Sequence, residues 1–169
     1  MYFFSHPLGG ASQSERPSMI HSGKINEILS QKGVTVWTIR PDATVFEAIQ
    51  MMAEKNVGAL LVTDEGKLTG IISERDYTRK VAIKGRSSKE LKVREILSPK
   101  IVHATPLHSV EECLRLMTEH RVRHLPVLDG ETIAGVISIG DLVNWIISTQ
   151  TATISQLEAY ISGYPVPPE

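Results

Sequence analysis

The sequence has one cysteine, almost no net charge and no long apolar run. With Cys113 alone, an internal disulfide is impossible, and the residue falls on the apolar side of an expected helix, so it reads as a small core hydrophobe rather than a nucleophile. A formal net charge of −1 and a pI near 6.6 leave no global attraction to nucleic acid or anionic lipid, so any anion site has to be local. No apolar stretch approaches the roughly 18 to 20 residues that cross a bilayer. The opening Met1-Tyr2-Phe3-Phe4 lacks the basic and apolar regions of an export signal, and a cytoplasmic, membrane-free protein is expected.

Catalytic motifs are missing as well. Gly135-x-x-Ser138 is one residue too long for a Gly-x-Ser-x-Gly nucleophile elbow. Neither a phosphate loop ending in Gly-Lys-Ser/Thr nor a Gly-x-Gly-x-x-Gly turn occurs. His120 and His124 stand four apart, but the second falls at a strand entrance, so the pair need not share a face for a metal. No enzyme activity, catalytic cofactor or metal is expected.

What the chain does have is a repeat. Gly70-Ile71-Ile72-Ser73-Glu74-Arg75-Asp76 returns 65 residues later as Gly135-Val136-Ile137-Ser138-Ile139-Gly140-Asp141. The offset holds upstream without a gap, from Pro41 on Pro106 through Met52 on Met117 to Asp64 on Asp129. At 41% hydrophobic and 22% charged, both halves can bury a core.

Residues 1–23, rich in Ser, Gly and Pro, read as a flexible tail. Ile25 to Ser30 and Val93 to Ser98 are short apolar lead-in helices, one before each repeat. An extended run follows in each, Val34 to Ile39 and Ile101 to Ala104, stopped before Pro41 and Pro106. Thr44 with Glu47, and Ser109 with Glu112, form capping boxes that open helices with buried faces Val45, Ala48, Ile49, Met52 and Val110, Cys113, Leu114, Met117. Strand pairs are expected at Ala59–Thr63 with Leu68–Ile72 and at His124–Leu128 with Ile133–Ile137, joined by tight turns. Pro126 cannot donate to a ladder, so its strand is an edge or leaves that position unbonded. Tyr77 to Lys84 is a helix that Gly85 can end. After Asp141, Leu142, Trp145, Ile146, Ile154, Leu157, Tyr160 and Ile161 recur at helical spacing, more apolar surface than a lone helix leaves in water.

Two β-α-β-β-α units, each ending in Gly-h-h-Ser-x-x-Asp, resemble the CBS domain (named for cystathionine beta-synthase). The likeness spans about residues 24 to 147. Ile72 to Tyr77, Arg121 to Val127 and Leu157 to Ile161 look like the stand-alone bacterial and organellar members. The resemblance implies an α/β (α+β) fold, a tandem CBS pair of two pseudo-twofold related repeats. The corresponding divisions are a tail at 1–23, a first repeat at 24–85, a second with its lead-in linker at 86–148, and a C-terminal helix and tail at 149–169. It further implies adenosine nucleotides in two clefts and a disc-like homodimer.

Ser-x-x-Asp is itself a capping box that can satisfy backbone N–H groups with no ligand. It can also grip a nucleotide: helix N–H groups and the Ser hydroxyl toward phosphate, the carboxylate toward a ribose diol. The doubling and the resemblance favour the second reading. Carried over residue by residue, the family pattern sets Thr38, Val57, Gly58 and Ala59 opposite Ser138 and Asp141, and His103, Thr105 and Val122 opposite Ser73 and Asp76. Ile39 and Pro41 add apolar contact. Arg123 and His124 stand where phosphate needs cations, with Arg75, Arg79 and Arg121 behind them; Arg79 with the basic linker residues also reads as a solvated surface. Gly58 aligns with Arg123, so the clefts should differ in charge. The expected function is a non-catalytic regulatory module that binds AMP, or NAD(H) or ATP, and reports energy or redox state to an unidentified protein. The alternative is a ligand-independent docking protein acting through its C-terminal helix.

Overall fold

Two capping boxes start the long helices of the two repeats. In the computed structural model, which describes residues 23–162 apart from 34, 98 and 99, the Thr44 hydroxyl accepts from the Glu47 amide at 3.2 Å while the Glu47 carboxylate accepts from the Thr44 amide at 2.7 Å. Ser109 and Glu112 repeat this at 3.1 and 2.7 Å. Between these caps and the left-handed Asn56 and Arg121 lie α2 (Val45–Lys55) and α4 (Val110–His120). Val45, Ala48, Met52, Val110, Cys113 and Met117 are buried, as their spacing predicts, and Ile49 and Leu114 are partly so. Burial pushes the Cys113 thiol up to about 11, in keeping with a core residue. Of the tail expected at 1–23, residues 1–22 lie outside the described residues, as do the closing Gly163 and Pro165, while Gly23 is buried and its carbonyl accepts from the Val110 amide at 3.1 Å.

In the first repeat, β1 (Thr38–Ile39) runs parallel to β2 (Ala59–Asp64), which pairs antiparallel with β3 (Lys67–Ser73). The β2–β3 turn places Glu65 and Gly66 at φ 47° and 81°, the two positive values that twist-matched two-residue hairpins need. In the second, β4 (His124–Asp129) pairs with β5 (Thr132–Ser138), and the first strand shrinks to one bridge, Ala104 to Val127. The expected strand Ile101–Ala104 fails for a chemical reason. The Leu61 amide donates to the Trp37 carbonyl at 3.1 Å, whereas Pro126, 65 residues on, has no N–H to give Val102. In the first repeat too, the extended run contracts to two residues.

The lead-in segments exchange partners. The helix α1 (Ile25–Lys32) buries Ile25, Ile28 and Leu29 among Ala104, Val110, Cys113, Met117, Leu125, Val127, Ile137 and Leu142, the core of the second repeat. Leu91, Val93 and Ile96, around a 3₁₀ turn at Val93–Glu95, complete the core of the first. Backbone bonds follow the exchange: Ile25 N–H to the His108 carbonyl at 3.0 Å, Val93 N–H to the Ala43 carbonyl at 2.9 Å. The glycine that opens each repeated motif now has a reason. A Cβ at Gly70 would lie 2.9 Å from Leu97, and one at Gly135 2.7 Å from Leu29, so each strand accepts a leucine of the crossing lead-in.

After β3 the chain makes α3 (Glu74–Tyr77) and a π-helical turn at Thr78–Ala82, stopped near Gly85 at φ 63°. After β5, α5 (Ile139–Ser162) runs unbroken for 24 residues. Leu142 is buried, and Trp145 and Ile146 pack on the second core. None of the described helices is long and apolar enough to cross a membrane.

Candidate functional site

The element order brings the end of β3 and α3, from the first repeat, against the end of α4 and the start of β4, from the second. Between them lies a cleft of about 330 Å³ lined by Gly58, Ile71, Ser73, Glu74, Arg75, Asp76, Arg79, Lys80, His120, Arg121, Val122, Arg123 and His124. Five fixed cations therefore face two carboxylates, in a chain whose overall charge is −1. Arg75 ties the two walls together, its guanidinium donating to the Arg121 carbonyl at 3.0 Å. Arg121 holds a left-handed backbone, φ 54°, at the turn that aims this carbonyl.

Ser73 and Asp76 form a capping box at the cleft wall. Asp76 Oδ2 accepts from the Ser73 hydroxyl at 2.6 Å and its amide at 3.1 Å, and the Asp76 amide donates back to Ser73 Oγ at 3.3 Å. Asp76 Oδ1 meets the Lys80 ammonium at 2.9 Å, and Lys80 also donates to the Ile96 carbonyl at 2.7 Å. A carboxylate oxygen can accept about two hydrogen bonds. Oδ2 is therefore filled, and Oδ1 keeps room for one donor. The geometry leaves Asp76 able to take one hydroxyl of a sugar while it caps α3.

The second Ser-x-x-Asp copy is built alike and occupied differently. Asp141 Oδ2 accepts from the Ser138 amide at 2.7 Å and hydroxyl at 2.8 Å, and also from Lys32 at 2.6 Å. Lys32 reaches it because α1 packs on this repeat, and the same ammonium lies 3.3 Å from the Val136 carbonyl. Burial opposes ionisation of Asp141, but Lys32 and the two Ser138 donors outweigh it and hold the carboxyl below the usual range. His124 sits nearby: a Cβ at Gly58 would lie 3.1 Å from its ring. Burial first, then the charge of Lys32, pushes its pKa down, against the pull of Asp141 and Glu74.

Of the residues singled out in the sequence, the cleft gathers Gly58, Ser73, Arg75, Asp76, Arg79, Arg121, Val122, Arg123 and His124. Gly58, expected opposite Ser138 and Asp141, lines the cleft of Ser73 and Asp76 instead. Thr105 was expected there and is not among its lining; its amide donates to His108 Nδ1 at 2.9 Å in the turn before α4. His103 is exposed and also apart from it. Thr38 and Ile39 line a separate shallow depression of about 610 Å³ with Arg40, Asp42 and Lys92. Pro41 gives its carbonyl to the Arg94 amide at 3.0 Å, Val57 packs on the first core, and Ala59 pairs with Ser73 across the sheet. Lys80, Glu74, His120 and Lys32 were not singled out as site residues. Lys80 was within reach of sequence reasoning, since it follows Asp76 by one helical turn. Lys32 was not, because nothing local says that α1 crosses to the other repeat.

Two facing β-α-β-β-α units with exchanged lead-ins and a cationic cleft between them make a tandem pair. The CBS domain family matches the chain twice, at residues 27–83 and 93–148, and the chain belongs to that family as a CBS pair, a regulatory module. It is 36% identical over 167 residues to the mitochondrial CBS domain-containing protein CBSX3 of Arabidopsis thaliana, a match that covers 90% of this chain and 81% of the relative. A solved structure of a protein with CBS domains from Burkholderia ambifaria is 48% identical and superposes with a TM-score of 0.73, over 76% of this chain and 96% of that one. The fold is also shared, at 21% identity and a TM-score of 0.66, over 76% of this chain and 98% of the other, with a CBS domain pair crystallised with 5′-methylthioadenosine and S-adenosylmethionine.

Proposed function

We propose that this CBS pair is a non-catalytic regulator that takes an anionic adenosine ligand in the cleft between α3 and the α4–β4 turn: AMP first, with NAD(H) or ATP as alternatives. The observation that carries the reading is the charge of the cleft, five cations against two carboxylates in a chain with a slight negative balance. Phosphate suits that field, and the planar forks of Arg75, Arg79, Arg121 and Arg123 suit phosphate. At about 330 Å³ the cleft falls at the lower end of the ~300–1,000 Å³ that ligand pockets span. That a fold relative holds methylthioadenosine and S-adenosylmethionine supports the adenosine half of the ligand. The field argues against a sulfonium, which would add another positive charge.

A ligand in this cleft touches both repeats, so its binding shifts their relative angle or rigidity, and it acts on a partner only through its differential affinity for the two states. In this reading the molecule senses energy or redox charge for a protein target, and a cytoplasmic location is part of the same proposal. The two pseudo-symmetric sites are unequal. Both carboxylates meet a lysine, Lys80 at Asp76 Oδ1 and Lys32 at Asp141 Oδ2, but only Asp76 lines the cationic cleft, so one nucleotide binds per chain. Calorimetric titration with AMP, ATP, NADH and S-adenosylmethionine tests the reading: one site per chain for a phosphate-bearing nucleotide supports it, and no heat from any of the four, with folded protein, defeats it.

A further inference from the structure

Positive charge is spread unevenly along this chain. Between Arg79 and Arg94 lie seven of its 18 lysines and arginines and one of its 19 acids, Glu90, so the rest of the chain holds 11 basic side chains against 18 acidic ones. The stretch is pinned to the first repeat. Val81, Leu91 and Val93 are buried in its core, the Phe46 amide donates to the Ser88 carbonyl at 3.0 Å, and the Arg86 amide donates to the Val81 carbonyl at 3.1 Å. Around those anchors Arg79, residues 82–87 and Lys89 are exposed. Some of the cations are answered within the chain: Lys80 by Asp76, Arg86 by Glu95, Arg94 by Asp42. Among the described residues no carboxylate forms an ion pair with Arg79, Lys84 or Lys89, and Lys89 stands over the Phe46 ring, 5.4 Å from its centre. In the same stretch Ile83 is 75% exposed. Like charges held on an ordered segment repel one another and cost stability, and a surface that only keeps the protein in solution gains nothing from holding them in place.

We infer that this surface, residues 79–94, docks a short acidic segment of another protein, one that carries an apolar side chain for Ile83 among its carboxylates. Opposite charge steers such a segment in and sets its register, and cations already held in place lose little freedom when it arrives. The surroundings limit its length. With 18 acids against 11 bases outside the stretch, a strand of nucleic acid phosphates leaving it would meet negative charge, whereas a segment of a few residues ends within it. Phe46 lies beneath Lys89 and is no open platform for stacked bases. An anionic membrane wants a continuous apolar face, and Ile83 is the one large exposed hydrophobic between residues 79 and 94. The surface is independent of what the cleft binds, but Arg79 belongs to both, which sets the docked segment at the edge of the cleft.

Fluorescence anisotropy with the full chain and a dye-labelled decapeptide, nine glutamates around one central leucine, tests the inference at low ionic strength. The peptide should bind, with an affinity that falls as salt rises. Lys84→Glu with Lys89→Glu should weaken it at least tenfold while the circular dichroism spectrum stays unchanged, since both side chains are exposed. Ile83→Ser keeps every charge; it should weaken the leucine peptide at least threefold and leave an all-glutamate decapeptide unaffected. Absence of peptide binding by the folded wild type overturns the inference. So does equal binding by the double variant, or an Ile83→Ser variant that treats the two peptides as the wild type does. A ten-nucleotide RNA, or phosphatidylserine vesicles, bound more tightly than the peptide and released by the double substitution would overturn it in favour of that partner.

Discussion

Asp76 and Asp141 occupy the same place in two repeats and are neutralised by different lysines. Lys80 comes from the next turn of Asp76's own helix, whereas Lys32 comes from the crossing α1. Replacing Lys32 with Met should remove the ion pair that holds α1 on the second repeat while calorimetry still registers one nucleotide per chain; a second nucleotide would mean that Lys32 had been an obstacle. Arg123 faces the first cleft, and Arg123→Ala should weaken binding of AMP by about 1.5–3 kcal/mol, the usual worth of a hydrogen bond to a charged group, while leaving adenosine binding little changed. His124 gives a pH dependence whose sign follows from its burial. Its folded pKa lies below the ordinary 6.5, so between those values the unfolded chain holds more protons and stability rises with pH. The contribution is complete above pH 6.5 and is lost as pH falls through the folded value. Thermal melts between pH 7.5 and 5.5 should therefore fall more steeply for the wild type than for His124→Gln.

The helices were legible in the sequence because their signals are local. Thr44 with Glu47 and Ser109 with Glu112 sit within one turn of each other, and the apolar faces repeat at helical spacing. The first strand of the second repeat was not, although its obstacle was visible. Pro126 announces a missing donor, but only the register with Val102 says whose carbonyl goes without. The repeated glycines were visible too, without their purpose, since Leu29 and Leu97 reach them across the molecule. Gly135→Ala should press on Leu29 and destabilise by about 1–3 kcal/mol in urea unfolding, the typical cost of overpacking. In a Leu29→Ala background, which removes the obstructing methyl groups, the same change should cost much less. Equal costs in both backgrounds would mean that Leu29 is not what the glycine makes room for.

Across the whole molecule, exchange of the lead-ins makes each repeat depend on a segment from outside its own motif. The repeat and its element order could be read from residues 24–148, because periodicity and motif spacing carry them, whereas the cleft residues came from the resemblance to the CBS family. Which lead-in belonged to which core could not be read, since both are similarly apolar. Removal of residues 1–32 should consequently loosen the second repeat more than the first: hydrogen exchange should speed up in β4 and β5 while β2 and β3 keep their protection. Faster exchange confined to the first repeat would contradict the crossing. The cleft depends on both repeats holding their places, which makes ligand binding the integrated readout of this architecture. The most direct measurement is therefore a calorimetric titration of the intact protein and its Arg75→Ala, Arg123→Ala variant with AMP at low ionic strength. The account predicts one site per chain for the wild type and at least tenfold weaker binding for the variant; equal affinity in the two proteins, or no binding to either, would contradict it.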